Sequence, residues 1–332
     1  MKHLCYNLAN TFVIKVDLQM MRKVYSYIVV IAVILNLFFV CGCSENDKLT
    51  SVSGNGSQTN SNSPNSIGWE EDGVLKILMI GNSFSVDTME YVYQIATSAG
   101  VEKLYLATLW RGGCTLEYHK IHAKNNMYVY DYQINKSNKW YAVQDYLMLD
   151  AIKSQNWDYI SIQQASGDSG IESTYSEDLE YLIGYIKQLC PNAKLIWNMT
   201  WAYQQDCTYD QFLKYDRDQM KMYNSIATTV EKMIKPRDDI YTIIPIGTTI
   251  QNARTSYIGD TLTRDGFHLS YDYGRYLAGL TFFCKLTGIP AENITFAPDG
   301  IDEQKKKVAI ESVTNAINHP FMITDSQYKS RQ

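Results

Sequence analysis

Beyond residue 70 the chain alternates short apolar runs with longer stretches in which apolar positions recur at helical spacing. The runs are LKILMI (75–80), KLYLATLW (103–110), DYISIQQ (158–164), KLIWNMTW (194–201) and IYTIIPI (240–246). Continuous apolar runs of this length, bounded by turn residues, read as strands covered on both faces. Helices are predicted near 87–99, 142–155, 176–190, 211–234, 272–287 and 301–317. Asp87 and Glu90, an acceptor and a carboxylate three residues apart, fit a capping box at the first of them. Strand alternating with helix implies an α/β fold, a mostly parallel five-stranded sheet with helices on both faces. Residues 112–141, rich in Tyr, Asn and Lys, break the alternation. A loop of that length at the carboxyl end of a strand is expected to shape a site.

The first 43 residues follow another pattern. Met21-Arg22-Lys23 gives a basic start, and YIVVIAVILNLFFVCG (27–42) is an apolar run of signal-peptide type. Val40-Cys41-Gly42-Cys43 resembles the lipobox of bacterial lipoproteins, which implies removal of 1–43, with Met21 a candidate start, and lipid on Cys43. The chain is then expected in the cell envelope, anchored to a membrane by that lipid. An uncleaved membrane anchor is the rival reading, but the run is at the short limit for spanning and contains Asn36. Residues 44–68, Ser/Asn/Gly-rich and nearly free of apolar side chains, read as a flexible tether, leaving 69–332 as a single domain.

Charge and cysteine usage narrow the function classes. The whole chain carries a net −5; without residues 1–43 it holds 26 basic against 34 acidic residues, a net of −8. A body this acidic is not built for nucleic acid or an anionic membrane surface. Cys114, Cys190, Cys207 and Cys284 show no CxxC spacing, so neither a zinc site nor a redox pair is indicated, while one or two disulfides would suit an exported protein.

The candidate chemistry begins where the first strand ends, at Gly81-Asn82-Ser83. In open α/β sheets that edge holds the ligand crevice. A serine there could cap the following helix, but Ser85 and Asp87 are better placed for capping, which leaves Ser83 free as a nucleophile. A hydroxyl needs a base, usually a histidine oriented by a carboxylate. Beyond residue 43 the histidines are His119, His122, His268 and His319. Asp265 precedes His268 by three residues in TRDGFHLS, a spacing that can set a carboxylate beside the ring within one tight loop; the rival reading is a turn whose polar residues bond only backbone. His119 and His122 also stand three apart, but no third metal ligand accompanies them, and a solvated loop face is expected. Trp110, Trp197, Trp201 and Tyr203 lie on or just past strand ends; Trp201 and Tyr203, at the catalytic end, are candidate sugar-stacking residues.

Gly81-Asn82-Ser83-Phe84-Ser85 near the start of the domain and Asp265-Gly266-Phe267-His268 near its end together resemble the SGNH, or GDSL, hydrolases. DGFHLSYDYGRYLAG and RGGCTLEYH are similar to a bacterial branch of that superfamily. The resemblance covers residues 75 to 287. It implies a three-layer α/β/α sandwich, with Ser83 as nucleophile and His268 and Asp265 completing the triad. It also implies an oxyanion hole of the Ser83 N–H, a glycine N–H after the second strand, and a side-chain amide after the third. Arg111-Gly112-Gly113 supplies the glycine, with Gly113 preferred. Where the family carries Gly-x-Asn-Asp, this chain has QQASGDSG (163–170), so Gln163 or Gln164 would donate, Gln164 being nearer the strand's end.

The sequence therefore points to a lipid-anchored serine esterase, acting through an acyl-enzyme and calling on no metal or cofactor. Its expected substrates are O-acyl groups, O-acetyl foremost, on a carbohydrate; the sugar is suggested by the envelope location and by 26 tyrosines. The alternatives are a catalytically silent glycan-binding lipoprotein on the same fold, and a lipase or thioesterase, which would need a long apolar cleft.

Overall fold

The first strand, β1 (Leu75–Gly81), is buried along its whole length, as a strand without polar alternation must be. It sits inside the sheet, parallel to β2 (Leu104–Trp110) on one side and β5 (Tyr159–Ile162) on the other. The computed structural model describes residues 73–330. The expected signal peptide (1–43), the lipidation site Cys43 and the tether (44–68) lie outside them.

The sheet has seven strands, not five, in the order β4-β3-β2-β1-β5-β6-β7. Its five parallel members, with β6 (Lys194–Asn198) and β7 (Thr242–Ile244), are the five expected runs. The two additional strands, β3 (Tyr130–Asn135) and β4 (Trp140–Tyr146), form an antiparallel hairpin added to the β2 edge. They arise from the stretch expected to be a loop and from the start of the helix expected at 142–155. Trp140-Tyr141-Ala142-Val143 is aromatic and β-branched, which suits a pleated ribbon. Only Met148–Lys153 of the expected helix forms, as α4.

Helices cover both faces, making the three-layer sandwich. α8 (Tyr273–Thr287) is buried almost throughout and packs on α1 (Ser83–Met89), α2 (Val92–Ser98), α7 (Ile246–Arg254) and α9 (Glu303–Asn318). α3 (Leu116–Lys124) and α4 pack on α5 (Ser176–Leu189). The helix expected at 211–234 is divided: Asp210–Tyr215 is a 3-10 turn, Asp216 and Arg217 are left-handed (φ 56° and 53°), and α6 runs Gln219–Met233.

Along the parallel strands the chain reads β2-β1-β5-β6-β7, so it leaves β1 for one side and then crosses to the other. The crevice outside the carboxyl ends of β1 and β5 is the topological switch point. Register brings Gly81 opposite Trp110, Ile80 opposite Ile162, and Ile162 opposite Trp197. The segments that follow, at 82–83, 111–113, 163–164 and 199–203, therefore emerge along one edge.

Candidate active site

Gly81 lets β1 end where it does. A β-carbon there would lie 2.1 Å from Ser85 Oγ and 3.0 Å from Gln163 Cγ, so only glycine fits. Asn82, extended at φ −135°, is the N-cap of α1: its Oδ1 accepts from the Phe84 N–H, while Ser85 Oγ accepts from the Asn82 N–H. The capping box is thus Asn82 with Ser85, not Asp87 with Glu90, and the helix starts four residues earlier than expected. Ser83 is left at the first helical position with its hydroxyl half-buried and aimed at the crevice.

Beneath Ser83, a buried chain of amides links four strand ends. Asn198 Nδ2 donates to Gln163 Oε1 (3.0 Å), Gln163 Nε2 to Asn82 Oδ1 (3.0 Å), and Asn82 Nδ2 to the Cys114 carbonyl (3.3 Å). These side chains are at most 2% exposed, so each is held by its partners rather than by water.

The histidine arrives on the loop 263–269. Asp265 Oδ1 accepts from the Phe267 N–H (3.2 Å) and the His268 N–H (2.8 Å), and Oδ2 lies 2.6 Å from His268 Nδ1. A carboxylate can only accept, so Nδ1 donates. Nε2 then carries the lone pair and accepts from the Ser83 hydroxyl at 2.7 Å. Burial pulls the Asp265 pKa upward, but the hydrogen bonds from the His268 ring and the two N–H groups outweigh it, and the carboxyl sits below its ordinary range. Gly266, at φ 92°, makes the turn; a β-carbon there would meet Cys207 Sγ at 2.9 Å.

What brings this loop to Ser83 is Asp87, one turn further along α1 and fully buried. Its carboxylate accepts from Arg264 Nη1 (3.0 and 3.2 Å), Arg275 Nε (2.8 Å) and the Leu269 N–H (2.9 Å). Arg264 and Leu269 flank the 265–268 segment, so the helix that presents the nucleophile also clamps the loop that presents the histidine. Sequence reading assigned Asp87 to a cap and gave Arg264 and Arg275 no role. Because the helix is expected to begin at Asp87, no local signal separates a buried anchor there from a cap.

Other expectations are corrected. Gln164 is not free to face an oxyanion: its Nε2 donates to Thr174 O and Oγ1, and its Oε1 accepts from the Leu116 and Ala165 N–H groups. Gln163 is buried in the amide chain, its Nε2 donating to Asn82 Oδ1 and its Oε1 accepting from Asn198. Gly113 follows β2 beside the site as expected, and its N–H and that of Ser83 have no partner among the described residues. Trp201 and Tyr203 are fully buried and cannot stack a sugar. Trp201 instead stacks on Phe84 (4.1 Å, 5°) and donates from Nε1 to the Phe267 carbonyl, while Tyr203 supports Phe267 from below. His119 and His122 are buried rather than solvated, their Nδ1 atoms meeting Tyr130 OH at 2.8 and 3.2 Å. Burial, with His122 nearby, drives His119 down to about 3, and burial pushes the adjacent Cys114 thiol up to about 12. Among the described residues no group of three or more His, Cys, Asp or Glu is arranged to hold a metal, and Cys114, Cys190, Cys207 and Cys284 are unpaired thiols.

The fold and site define an α/β/α protein of flavodoxin-like strand order with a Ser-His-Asp constellation at its switch point. The chain belongs to the family described as "Domain of unknown function (DUF4886)", whose model matches residues 76–316. A DUF4886 family protein from Bacteroides uniformis ATCC 8492 is 39% identical, with 77% of this chain and 100% of that one covered and a TM-score of 0.74. More distant structures include an acetylxylan esterase from Geobacillus stearothermophilus (11% identity, 65% and 94% covered, TM-score 0.42). Another is a carbohydrate esterase family 3 protein from Talaromyces cellulolyticus (12%, 64% and 96%, TM-score 0.42). No curated protein matches the sequence.

Proposed function

We propose that this protein is a serine esterase that removes O-acyl groups, O-acetyl foremost, from a carbohydrate. The observation that carries the reading is the unbroken hydrogen-bonded line from Ser83 Oγ through the His268 ring to Asp265, 2.7 and 2.6 Å. In acylation Ser83 Oγ attacks the ester carbonyl carbon while its proton passes to His268 Nε2. The tetrahedral intermediate collapses by breaking the bond to the alcohol oxygen, which takes the proton back from Nε2. Water repeats the sequence on the acyl-enzyme and releases the acid. Asp265 holds Nδ1–H and so fixes the tautomer that accepts at Nε2. The N–H groups of Ser83 and Gly113 are the proposed donors to the developing oxyanion.

Exposed tyrosines at 118, 128, 209 and 271 support a wet glycan substrate, since amphipathic rings suit such surfaces. The cavity of about 560 Å³ at Gly112, which neither Ser83 nor His268 borders, is walled by Arg111, Asp131, Gln144 and Asp145 as well as Trp110 and Val129, a largely polar neighbour to the site. Lipid on Cys43, and with it attachment at the cell envelope, belongs to the same proposal. Among the described residues no helix is long and apolar enough to cross a membrane. A catalytically silent glycan-binding protein is the second reading. It is favoured by the committed amides of Gln163 and Gln164, which leave the site without the side-chain donor that the resemblance implies. Hydrolysis of ethyl acetate and of an acetylated sugar, followed by proton release, separates the two. Wild type should turn over and Ser83→Ala should not; an inactive wild type, or an active variant, defeats the esterase reading.

A further inference from the structure

The two halves of an ester bound at Ser83 would lie on different sides. The carbonyl oxygen must face the N–H groups of Ser83 and Gly113, and Gly113 belongs to the β2 side of β1. The alcohol oxygen must face His268 Nε2, which returns its proton, and the histidine loop is braced from the β6 side. Trp201 supports that loop through the Phe267 carbonyl, and the Gln204 N–H donates to the Gly266 carbonyl at 2.7 Å. What the alcohol half meets is therefore set by the segment after β6.

That segment carries an aromatic stack that the sequence did not single out. The Tyr209 ring lies on Phe267 at 4.7 Å and 18°, and Phe267 lies 4.1 Å from the His268 ring. Tyr209 is 42% exposed and Phe267 partly so, whereas Tyr203 beneath them is fully buried and braces both rings (6.0 and 5.6 Å). Tyr203 is itself tied to Ser166 by a 2.8 Å hydrogen bond. A rigid ring with solvent beside it, next to the imidazole that protonates the leaving group, is a surface looking for a flat apolar partner.

We infer that Tyr209, on its Phe267 support, is the subsite for the alcohol half of the ester, and that it takes a pyranose ring by its C–H face. This rests on the esterase reading and names the substrate class for that same site. Tyr203 lies under this platform, and Trp201 holds the Phe267 carbonyl that carries it.

The test compares kcat/KM of wild type, Tyr209→Phe and Tyr209→Ala on a fully acetylated methyl glucopyranoside, ethyl acetate and phenyl acetate. Tyr209→Ala should lose roughly tenfold more on the acetylated pyranoside than on ethyl acetate, mainly in KM, the scale of one stacking partner. Tyr209→Phe should keep most of the wild-type preference. Equal losses on all three esters would mean a structural role and would overturn the inference, as would no loss on the pyranoside. A Tyr209 dependence confined to phenyl acetate would make it an aryl subsite, also contrary to the inference. A wild type that turns over ethyl acetate but not the pyranoside sinks the sugar while sparing the esterase. A wild type without Ser83-dependent hydrolysis of any ester removes the esterase reading, and the inference with it.

Discussion

At the residue scale, the three side chains at the switch point should behave as one unit. Ser83→Ala deletes the nucleophile, and His268→Ala leaves the hydroxyl without a base. Each should cost turnover by a large factor, on the order of 10⁴ or more, and the double variant should be little worse than either. Losses that multiply in the double variant would show residues working independently. Asp265 offers a separate test through pH. Its folded-state pKa is depressed, so its ionised form is the one the fold favours. The stabilisation it supplies is complete above the unfolded value of about 3.9 and is lost as pH falls through the lower folded value. The difference in melting temperature between wild type and Asp265→Asn should shrink as pH falls below ~4. A gap that persists unchanged into stronger acid would contradict the hydrogen-bonded carboxylate.

The element that matters most is α1, because it does two things at once. Its first residue presents the hydroxyl, and its fifth, Asp87, gathers Arg264, Arg275 and the Leu269 N–H around a buried carboxylate. Removing one partner of such a set leaves uncompensated charge, so Asp87→Ala should cost about 3–5 kcal/mol in denaturant unfolding. Asp87→Asn keeps the size and one acceptor, and should fold. In that variant kcat should fall with KM little changed, because the histidine is displaced while the substrate surface stays. A raised KM with intact kcat would mean that the clamp serves binding rather than alignment.

For the whole molecule, the question is where it works. The proposed lipid on Cys43 predicts that Cys43→Ala leaves the membrane fraction or retains its leader, as fractionation and intact-mass measurement would show. Unchanged processing and attachment would rule out the lipobox. The fold itself places the segments that follow β1, β2, β5 and β6 at one edge of the sheet.

The sequence by itself determined the five strand runs and the Asp265–His268 loop, because each is written locally, whereas the meeting of that loop with Ser83, 185 residues away, was decided by the fold. A buried parallel strand is a continuous apolar run, and an Asp three residues before a His closes its own loop. It could not give β3 and β4, whose edge ribbon depends on pairing with β2 rather than on an internal period. Asp87 was misread because its partners are 177 to 188 residues away, and a carboxylate near a helix start has the same local signature whether it caps or is buried. Gln164, Trp201 and Tyr203 have the right residue types in the right place along the chain. Only packing decided that the glutamine is spent on Thr174 and that the two rings lie beneath the surface, where Tyr209 and Phe267 cover Tyr203. Burial is a property of neighbours brought from elsewhere, and no single stretch of sequence carries it.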